Sequence, residues 1–157
     1  MIDLNKKLKE YTSSDIYPFH MPGHKRRTDF AGWLNAYDIT EVPGFDDLHH
    51  PEDLLKDLMD EAAALYGTKH TFYLVNGSTC GILASISAAC AHDKKIILAR
   101  NSHKSAYHAL ELMGLDATYV YPEWTDIGIQ GSISPAEVKK ALEENPDVKA
   151  VYITSPT

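Results

Sequence analysis

The feature that most constrains the fold is an alternation of short apolar runs with helical segments in the second half of the chain. The apolar runs predict strands, and the patterns between them predict helices. The strands are expected at 71–75, 96–99, 117–121 and 150–154, and the helices begin near Cys80, Ser105 and Ser134. Runs that are apolar on both sides are typical of parallel strands covered by helices. We therefore expect an α/β fold with a mainly parallel sheet, which binds ligands at the carboxyl ends of its strands.

The front of the chain follows a different pattern. Apolar residues recur at helical spacing over 2–11 and predict a short amphipathic helix. Prolines and glycines interrupt any regular period over 16–50, which predicts an irregular segment. Order returns at Pro51, the expected first residue of another helix, and Gly67 is the expected left-handed cap at its end.

Charge and composition exclude several classes of function. The formal charge of -7 and the pI near 5.5 leave no broad basic surface, so no nucleic-acid partner is expected. No apolar run is long enough to span a bilayer, and the polar start lacks the apolar stretch of a signal peptide. Cys80 and Cys90 fall in an apolar helical stretch and are expected to be reduced and buried. We expect a cytoplasmic protein without a membrane partner.

The turn Asn76-Gly77-Ser78-Thr79 leads from a predicted strand into a helix that starts with small residues. Backbone N–H groups and two hydroxyls would then point to where a phosphate could bind. The alternative is an ordinary helix cap, because serine and threonine open many helices. The turn matches neither a Walker loop nor a GxGxxG fingerprint, so a phosphate ester smaller than a nucleoside triphosphate or dinucleotide is favoured.

A second polar cluster, residues 100–105, follows the predicted strand at 96–99. A histidine at this position, His103, could stack on a ring, form hydrogen bonds or transfer protons. Alternatively, His103 caps the helix that follows and Lys104 is solvated. Both interpretations remain open from the residues alone.

Metal binding and acyl transfer are not favoured. His20 and His24 have the i, i+4 spacing of metal ligands on a helix. A proline and a glycine lie between them and disfavour the helix that would place both side chains on one face. No GxSxG motif is present. The neighbouring carboxylates Asp46 and Asp47 are adjacent in sequence and could equally serve solvation or helix capping.

Four phrases of the sequence closely resemble the Orn/Lys/Arg decarboxylase family. They are PFHMPGHK at 18–25, DITEVPGFDDLHHP at 38–51, VNGSTCG at 75–81 and RNSHKS at 100–105. The resemblance continues to ITSPT at 153–157 and so covers essentially the whole chain. Because no receiver-like segment precedes these phrases, the chain resembles the compact bacterial subgroup of the family.

The resemblance implies a pyridoxal 5'-phosphate enzyme of the aspartate-aminotransferase-like fold, fold type I. Such an enzyme removes the α-carboxyl group of lysine, arginine or ornithine, giving the corresponding amine and CO2, and works as a homodimer or larger homo-oligomer. By resemblance, Gly77, Ser78 and Thr79 would bind the cofactor phosphate. His103 would stack on the cofactor ring, and the phrase Thr154 to Thr157, with Thr157 as a cofactor-binding residue, would border the same site.

The resemblance also implies roles for the front segment. Residues 1–50 would form an arm that reaches the partner's site, and 51–157 would form the first part of the cofactor-binding large domain. Candidates for contact with substrate or partner are His20, Gly23, His24, Asp46 and Asp47.

The lysine that holds the cofactor covalently is expected beyond Thr157, as is the aspartate that pairs with the pyridine nitrogen. Lys104 is therefore not assigned that role, although its Ser-His-Lys context imitates the family's lysine, and we expect this chain alone to be inactive. The alternatives are another fold-type-I enzyme, such as an aminotransferase, an aldolase or a different lyase, and a non-catalytic protein of the same fold.

Overall fold

The structure, a computed structural model, describes residues 3–27 and 34–155. The chain divides into two compact units between Tyr73 and Leu74. Among the described residues, no helix is both long and apolar enough to cross a membrane.

Within 3–27 and 34–73, the first unit contains three helices. They are α1 (Leu4–Thr12), α2 (Leu34–Tyr37) and α3 (Leu54–Tyr66). The prediction of a helix near the N-terminus is confirmed, and the side chain of Asp3 caps it by accepting a hydrogen bond from the backbone N–H of Lys6 at 3.0 Å. At the other end of α1, the Arg26 guanidinium donates to the carbonyl oxygens of Tyr11 and Thr12. These contacts satisfy backbone groups that a helix leaves unpaired at its ends.

Helix α3 begins later than the sequence predicts. Pro51 was expected as its first residue, but the helix begins at Leu54. The N-cap residue, Asp53, makes no capping hydrogen bond with its side chain, and the carboxylate of Asp46 caps the helix instead. The predicted end is confirmed, because Gly67 follows the helix in the left-handed conformation with φ 65°.

The second unit is a parallel three-stranded sheet with helices. Its elements in chain order are α4 (Gly77–Ala89), β1 (Lys95–Ala99), α5 (Lys104–Met113), β2 (Asp116–Val120), α6 (Pro135–Glu144) and β3 (Ala150–Tyr152). Strand β1 lies in the centre, and Leu98 is in register with Tyr119 of β2 and Tyr152 of β3. The predicted α/β class and parallel sheet are confirmed.

Strand β1 is buried on both faces. Ile96 and Leu98 pack with α4 and α5, whereas Ile97 and Ala99 pack with α6 on the opposite face. This alternation is the period of two that a strand imposes on its side chains. Burying each large aliphatic side chain contributes roughly 1.5–3 kcal/mol, so this short strand is the centre of two small cores.

Three local expectations are wrong in the second half. Residues 71–75 form no strand, because no described segment supplies a partner for their backbone groups, although their side chains favour β structure. Helix α4 begins at Gly77 and not at Cys80, so the predicted turn is the first turn of the helix. Cys80 is only half-buried; Cys90 is buried as expected, and this burial raises the pKa of its thiol.

Candidate cofactor and substrate site

The connections around β1 bring two helix N-termini to one edge of the sheet. Helix α4 leads into β1 through residues 90–94, and α5 leaves β1 through 100–103. Both helices pack on the same face of β1, so both run opposite to the strand and begin toward its carboxyl end. This is the edge at which parallel α/β sheets bind ligands.

The first turn of α4 contains the residues expected to bind phosphate. Gly77, Ser78 and Thr79 are all exposed, and the preceding Asn76 makes no capping hydrogen bond with its side chain. The first N–H groups of a helix have no intrahelical partner and attract anions. Gly77 has φ 67°, a conformation that glycine adopts without strain. This turn therefore presents N–H groups and two hydroxyls that fit a phosphate monoester.

His103 is the N-cap residue of α5. Its Nδ1 accepts a hydrogen bond from the backbone N–H of Ser105 at 3.3 Å and lies 2.7 Å from the Ser105 hydroxyl. Because a backbone N–H can only donate, Nδ1 is the unprotonated nitrogen in this arrangement. His103 is exposed, so capping fixes one edge of the imidazole and does not bury its ring. Helix capping and ring stacking are thus compatible roles.

An arginine–tyrosine pair closes the loop that carries His103. The Arg100 guanidinium donates to the Tyr107 hydroxyl at 2.6 Å, and that hydroxyl donates to the Arg100 carbonyl oxygen at 2.7 Å. The guanidinium also lies over the ring of Tyr107, 5.1 Å from its centroid, and over that of Tyr119. The hydrogen bond to Tyr107 raises the pKa of Arg100. These contacts tie the loop to α5.

Two buried oxygen atoms at this edge have no hydrogen-bond partner among the described residues. They are Asn101 Oδ1, just after β1, and Thr154 Oγ1, just after β3. Continuing the β1–β3 register beyond Leu98 and Tyr152 aligns Thr154 with Arg100, the residue before Asn101. Both unpartnered atoms thus follow the carboxyl ends of neighbouring strands.

An open groove of about 540 Å³ runs along α4 and α5 and reaches the start of α4. Its lining is mainly apolar, and it includes Asn76, Thr79, Cys80, Leu83 and Met113. This lining has the character of a helix-packing surface more than of a site for a charged amino acid.

In the first unit, the carboxylate of Asp46 accepts several backbone hydrogen bonds within the irregular segment and at the start of α3. Its Oδ1 accepts from the backbone N–H groups of Asp47 and Glu52, and its Oδ2 accepts from those of Asp53, Leu55 and Lys56. Desolvation raises the pKa of Asp46, but these hydrogen bonds outweigh it and hold the pKa well below the ordinary 3.8. The carboxylate of Asp47 accepts from the N–H of His49.

The two histidines of the front motif also contact the backbone. His24 Nδ1 accepts from the Arg26 N–H at 3.1 Å, and its Nε2 lies 3.2 Å from the Asp38 carbonyl oxygen. His20 Nδ1 donates to the Met21 carbonyl oxygen, while its buried Nε2 has no partner in the described ranges. Gly23 is exposed, and a Cβ there would meet no atom within 4 Å.

Thr157 lies outside the described residues. The sequence pattern singled out the loop at 100–105 but did not reveal the pairing of Arg100 with Tyr107 or the unpartnered oxygen of Asn101. The seven-residue spacing of Arg100 and Tyr107, across a loop and into a helix, was the sequence signal that could have indicated their pairing.

In 3–27 and 34–155, no group of three or more His, Cys, Asp or Glu side chains is arranged to hold a metal ion.

Fold and site together define an α/β protein in which two helix N-termini, and two oxygen atoms without a partner among the described residues, lie at the carboxyl edge of a parallel sheet. The family model described as the Orn/Lys/Arg decarboxylase major domain matches residues 3–157. The chain belongs to the Orn/Lys/Arg decarboxylase family.

Relatives support this assignment. "Uncharacterized protein YaaO" of Bacillus subtilis is 36% identical over 98% of this chain and 34% of its own length. An arginine decarboxylase of Bacillus cereus is 35% identical over 96% of this chain and 35% of its own length. The chain therefore spans about a third of the length of these relatives.

The fold agrees with that of a solved structure. Lysine decarboxylase A from Pseudomonas aeruginosa matches 96% of this chain and 24% of its own chain, with a TM-score of 0.76 and 23% sequence identity. This likeness confirms the expected fold class.

Proposed function

We propose that this chain contributes the cofactor-phosphate site of a pyridoxal-5'-phosphate-dependent decarboxylase acting on lysine, arginine or ornithine. The observation that carries the proposal is the first turn of α4, where Gly77, Ser78 and Thr79 combine exposed hydroxyls with a helix N-terminus. Family membership supplies the chemical context, because named relatives include arginine and lysine decarboxylases.

The residues of the chain would act by binding and orienting. The α4 N-terminus and the hydroxyls of Ser78 and Thr79 would hold the phosphate dianion, since its charge is favoured at the positive end of the helix dipole. His103, held through Nδ1 by Ser105, would offer one face of its ring for stacking. When bound, pyridoxal phosphate supplies the electron sink for the electron pair left as the carboxyl group departs as CO2.

The front segment is proposed to form an arm, residues 1–50, that lines the site of a partner subunit in a homodimer or larger homo-oligomer. Within it, His20 is the best candidate for contact with substrate or partner, because its Nε2 is a buried acceptor that no described residue satisfies. Gly23, His24 and Asp47 remain candidates, whereas both carboxylate oxygens of Asp46 already accept hydrogen bonds from the backbone.

We also propose that residues 51–157 belong to the cofactor-binding domain of a cytoplasmic enzyme.

The first experiment measures binding of pyridoxal 5'-phosphate and of inorganic phosphate by calorimetry. We expect the S78A/T79A double variant to bind both at least about tenfold more weakly, because hydrogen bonds to a charged group are worth roughly 1.5–3 kcal/mol. Ser85→Ala is the matched control, because Ser85 is an exposed serine further along the same helix. Equal binding by the double variant and the wild type would contradict the proposed phosphate site.

The second experiment tests the reaction. The protein carrying this chain is incubated with pyridoxal 5'-phosphate and either lysine, arginine or ornithine, and amine and CO2 are quantified. Release of both from at least one of these substrates is expected. Formation of a 2-oxo acid instead would favour an aminotransferase, and no product with any substrate would favour a non-catalytic role.

A further inference from the structure

The hydroxyl of Ser105 has a single hydrogen-bond partner among the described residues, the Nδ1 atom of His103 at 2.7 Å. Ser105 is the second residue of α5 and is only 1% exposed, whereas His103 is exposed. A polar group that is buried this deeply is destabilising unless it is hydrogen-bonded. The contact therefore satisfies a buried hydroxyl and, at the same time, fixes an imidazole that lies at the surface.

The direction of this hydrogen bond follows from the backbone. The N–H of Ser105 points to the same Nδ1 at 3.3 Å, and because an N–H can only donate, Nδ1 carries no proton. The hydroxyl must then donate as well, and its contact is the shorter of the two. A neutral imidazole that accepts at Nδ1 carries its proton on Nε2. In the described ranges Nε2 has no partner, so the ring keeps one N–H donor free to meet a ligand.

The helix that carries Ser105 is firmly packed. Ala106 and Ala109, further along α5, are completely buried and belong to the same core cluster as Ile96 and Leu98 of β1. An exposed side chain without such a support samples several rotamers, and ordering it when a ligand binds costs conformational entropy. A ring that is already held by a packed helix avoids this cost.

We propose that Ser105 is a positioning residue, whose hydroxyl fixes the plane and the Nε2–H tautomer of the His103 ring before the cofactor binds. The inference rests on the proposed function, because it takes pyridoxal phosphate as the ring on which His103 stacks. It goes beyond helix capping, for which the backbone N–H of Ser105 alone is sufficient. Ser105 acts through His103 and contacts no ligand itself.

The test is a double-mutant cycle in the protein carrying this chain, with affinities measured by calorimetry. Ser105→Ala should bind pyridoxal 5'-phosphate about fivefold more weakly than the wild type, because the ring must then be ordered on binding. In the His103→Asn background, which has no ring to position, the same substitution should change this affinity by less than about twofold. Inorganic phosphate should bind equally well to all four proteins.

A second measurement needs no cofactor. NMR couplings and imidazole nitrogen shifts of His103 are recorded at about pH 8.5, where a free imidazole is neutral. The wild type should show one χ1 rotamer and the Nε2–H tautomer alone. Ser105→Ala should show averaging over rotamers and a detectable fraction of the Nδ1–H tautomer.

Two further variants separate the hydroxyl from general stability. Ser105→Thr keeps a hydroxyl and should retain both the ordered ring and the affinity for pyridoxal phosphate. Thr118→Val removes a hydroxyl that donates to Asn145 Oδ1 at 3.3 Å, so it should lower the Tm without changing that affinity. A loss of stability is thereby distinguished from a loss of ring positioning.

The outcomes separate this inference from the function on which it rests. If the wild type binds pyridoxal phosphate and Ser105→Ala binds it equally well, the positioning role is wrong and the phosphate site survives. An equal loss in the wild-type and His103→Asn backgrounds would also overturn it, because Ser105 would then act on the fold and not through the ring. A His103 ring that averages over rotamers in the wild type contradicts the inference whatever the affinities are. If the wild type binds no pyridoxal phosphate, the proposed function fails and the positioning role fails with it.

Discussion

The carboxylate of Asp46 accepts a hydrogen bond from the backbone N–H of Leu55 at 3.0 Å, nine residues further along the chain. Asp46 itself has φ 66°, which asparagine and aspartate tolerate better than most residues. One side chain in the irregular segment thus closes a loop and caps α3. The start of the helix and the shape of the loop depend on the same group.

The first prediction concerns this cap. Asp46→Asn tolerates the same backbone conformation but replaces one acceptor oxygen with an NH2 group that faces backbone donors. We expect a fall in Tm of about 3–5 °C, in the range of losing a strong helix cap. Asp47→Asn is the control, because Asp47 accepts from a single neighbouring loop N–H, that of His49. Equal Tm values for the two variants would contradict the capping role.

A second prediction follows from the lowered pKa of Asp46. A carboxyl group with a pKa lower in the folded than in the unfolded state stabilises the fold fully above the unfolded value, here near 3.8. That stability is lost as the pH falls through the lower pKa of the folded state. The Tm difference between wild type and Asp46→Asn should therefore be constant at about pH 5–7 and narrow below about pH 4. Thermal melts over this range by circular dichroism provide the measurement, and a gap that widens on acidification would refute it.

The third prediction concerns Gly77, which has φ 67° at the start of α4. A Cβ at this position meets no atom within 4 Å, so any effect of substitution comes from the backbone conformation. Gly77→Ala should lower the free energy of unfolding by about 1 kcal/mol. Gly77→Asn should lower it less, because asparagine tolerates this region better. Chemical denaturation of both variants measures the difference, and equal losses would point to another cause.

The fourth prediction concerns the loop between β1 and α5. Tyr107→Phe keeps the ring beneath the Arg100 guanidinium but removes both hydrogen bonds of the hydroxyl. We expect faster hydrogen exchange at the amides of Ser102 and His103, by about five- to tenfold. Tyr119→Phe is the control, because the contact of Tyr119 with Arg100 is made by its ring. Unchanged exchange in Tyr107→Phe would mean that other contacts hold the loop.

The sequence correctly predicted those helices and strands whose position depends on residues within or next to the element itself. The apolar run at 96–99 predicts a strand buried on both faces, and β1 is such a strand. Gly114 ends α5 in the left-handed conformation, as the sequence predicts. The helix expected near Ser134 begins at Pro135, although the Ser134 side chain does not form the capping hydrogen bond.

The errors have non-local causes. The start of α3 was misplaced because its cap, Asp46, lies outside the local pattern around Pro51. The run at 71–75 has β-forming side chains, but a strand exists only where another backbone pairs with it. The unpartnered oxygens of Asn101 and Thr154 are likewise invisible in sequence, because burial depends on the packing of β1 and β3.

His103 allows the two roles left open by the sequence to be separated. Asparagine is among the best N-cap residues, so His103→Asn should preserve the cap of α5 and leave Tm within about 1 °C of the wild type. It lacks the imidazole ring, so its affinity for pyridoxal 5'-phosphate should fall about tenfold if the ring stacks on the cofactor. Inorganic phosphate, which has no ring, should bind equally well. His103→Ala should lose both the cap and the ring, and should therefore show a lower Tm as well as weaker binding. Unchanged binding of pyridoxal phosphate by His103→Asn would leave helix capping as the role of this histidine.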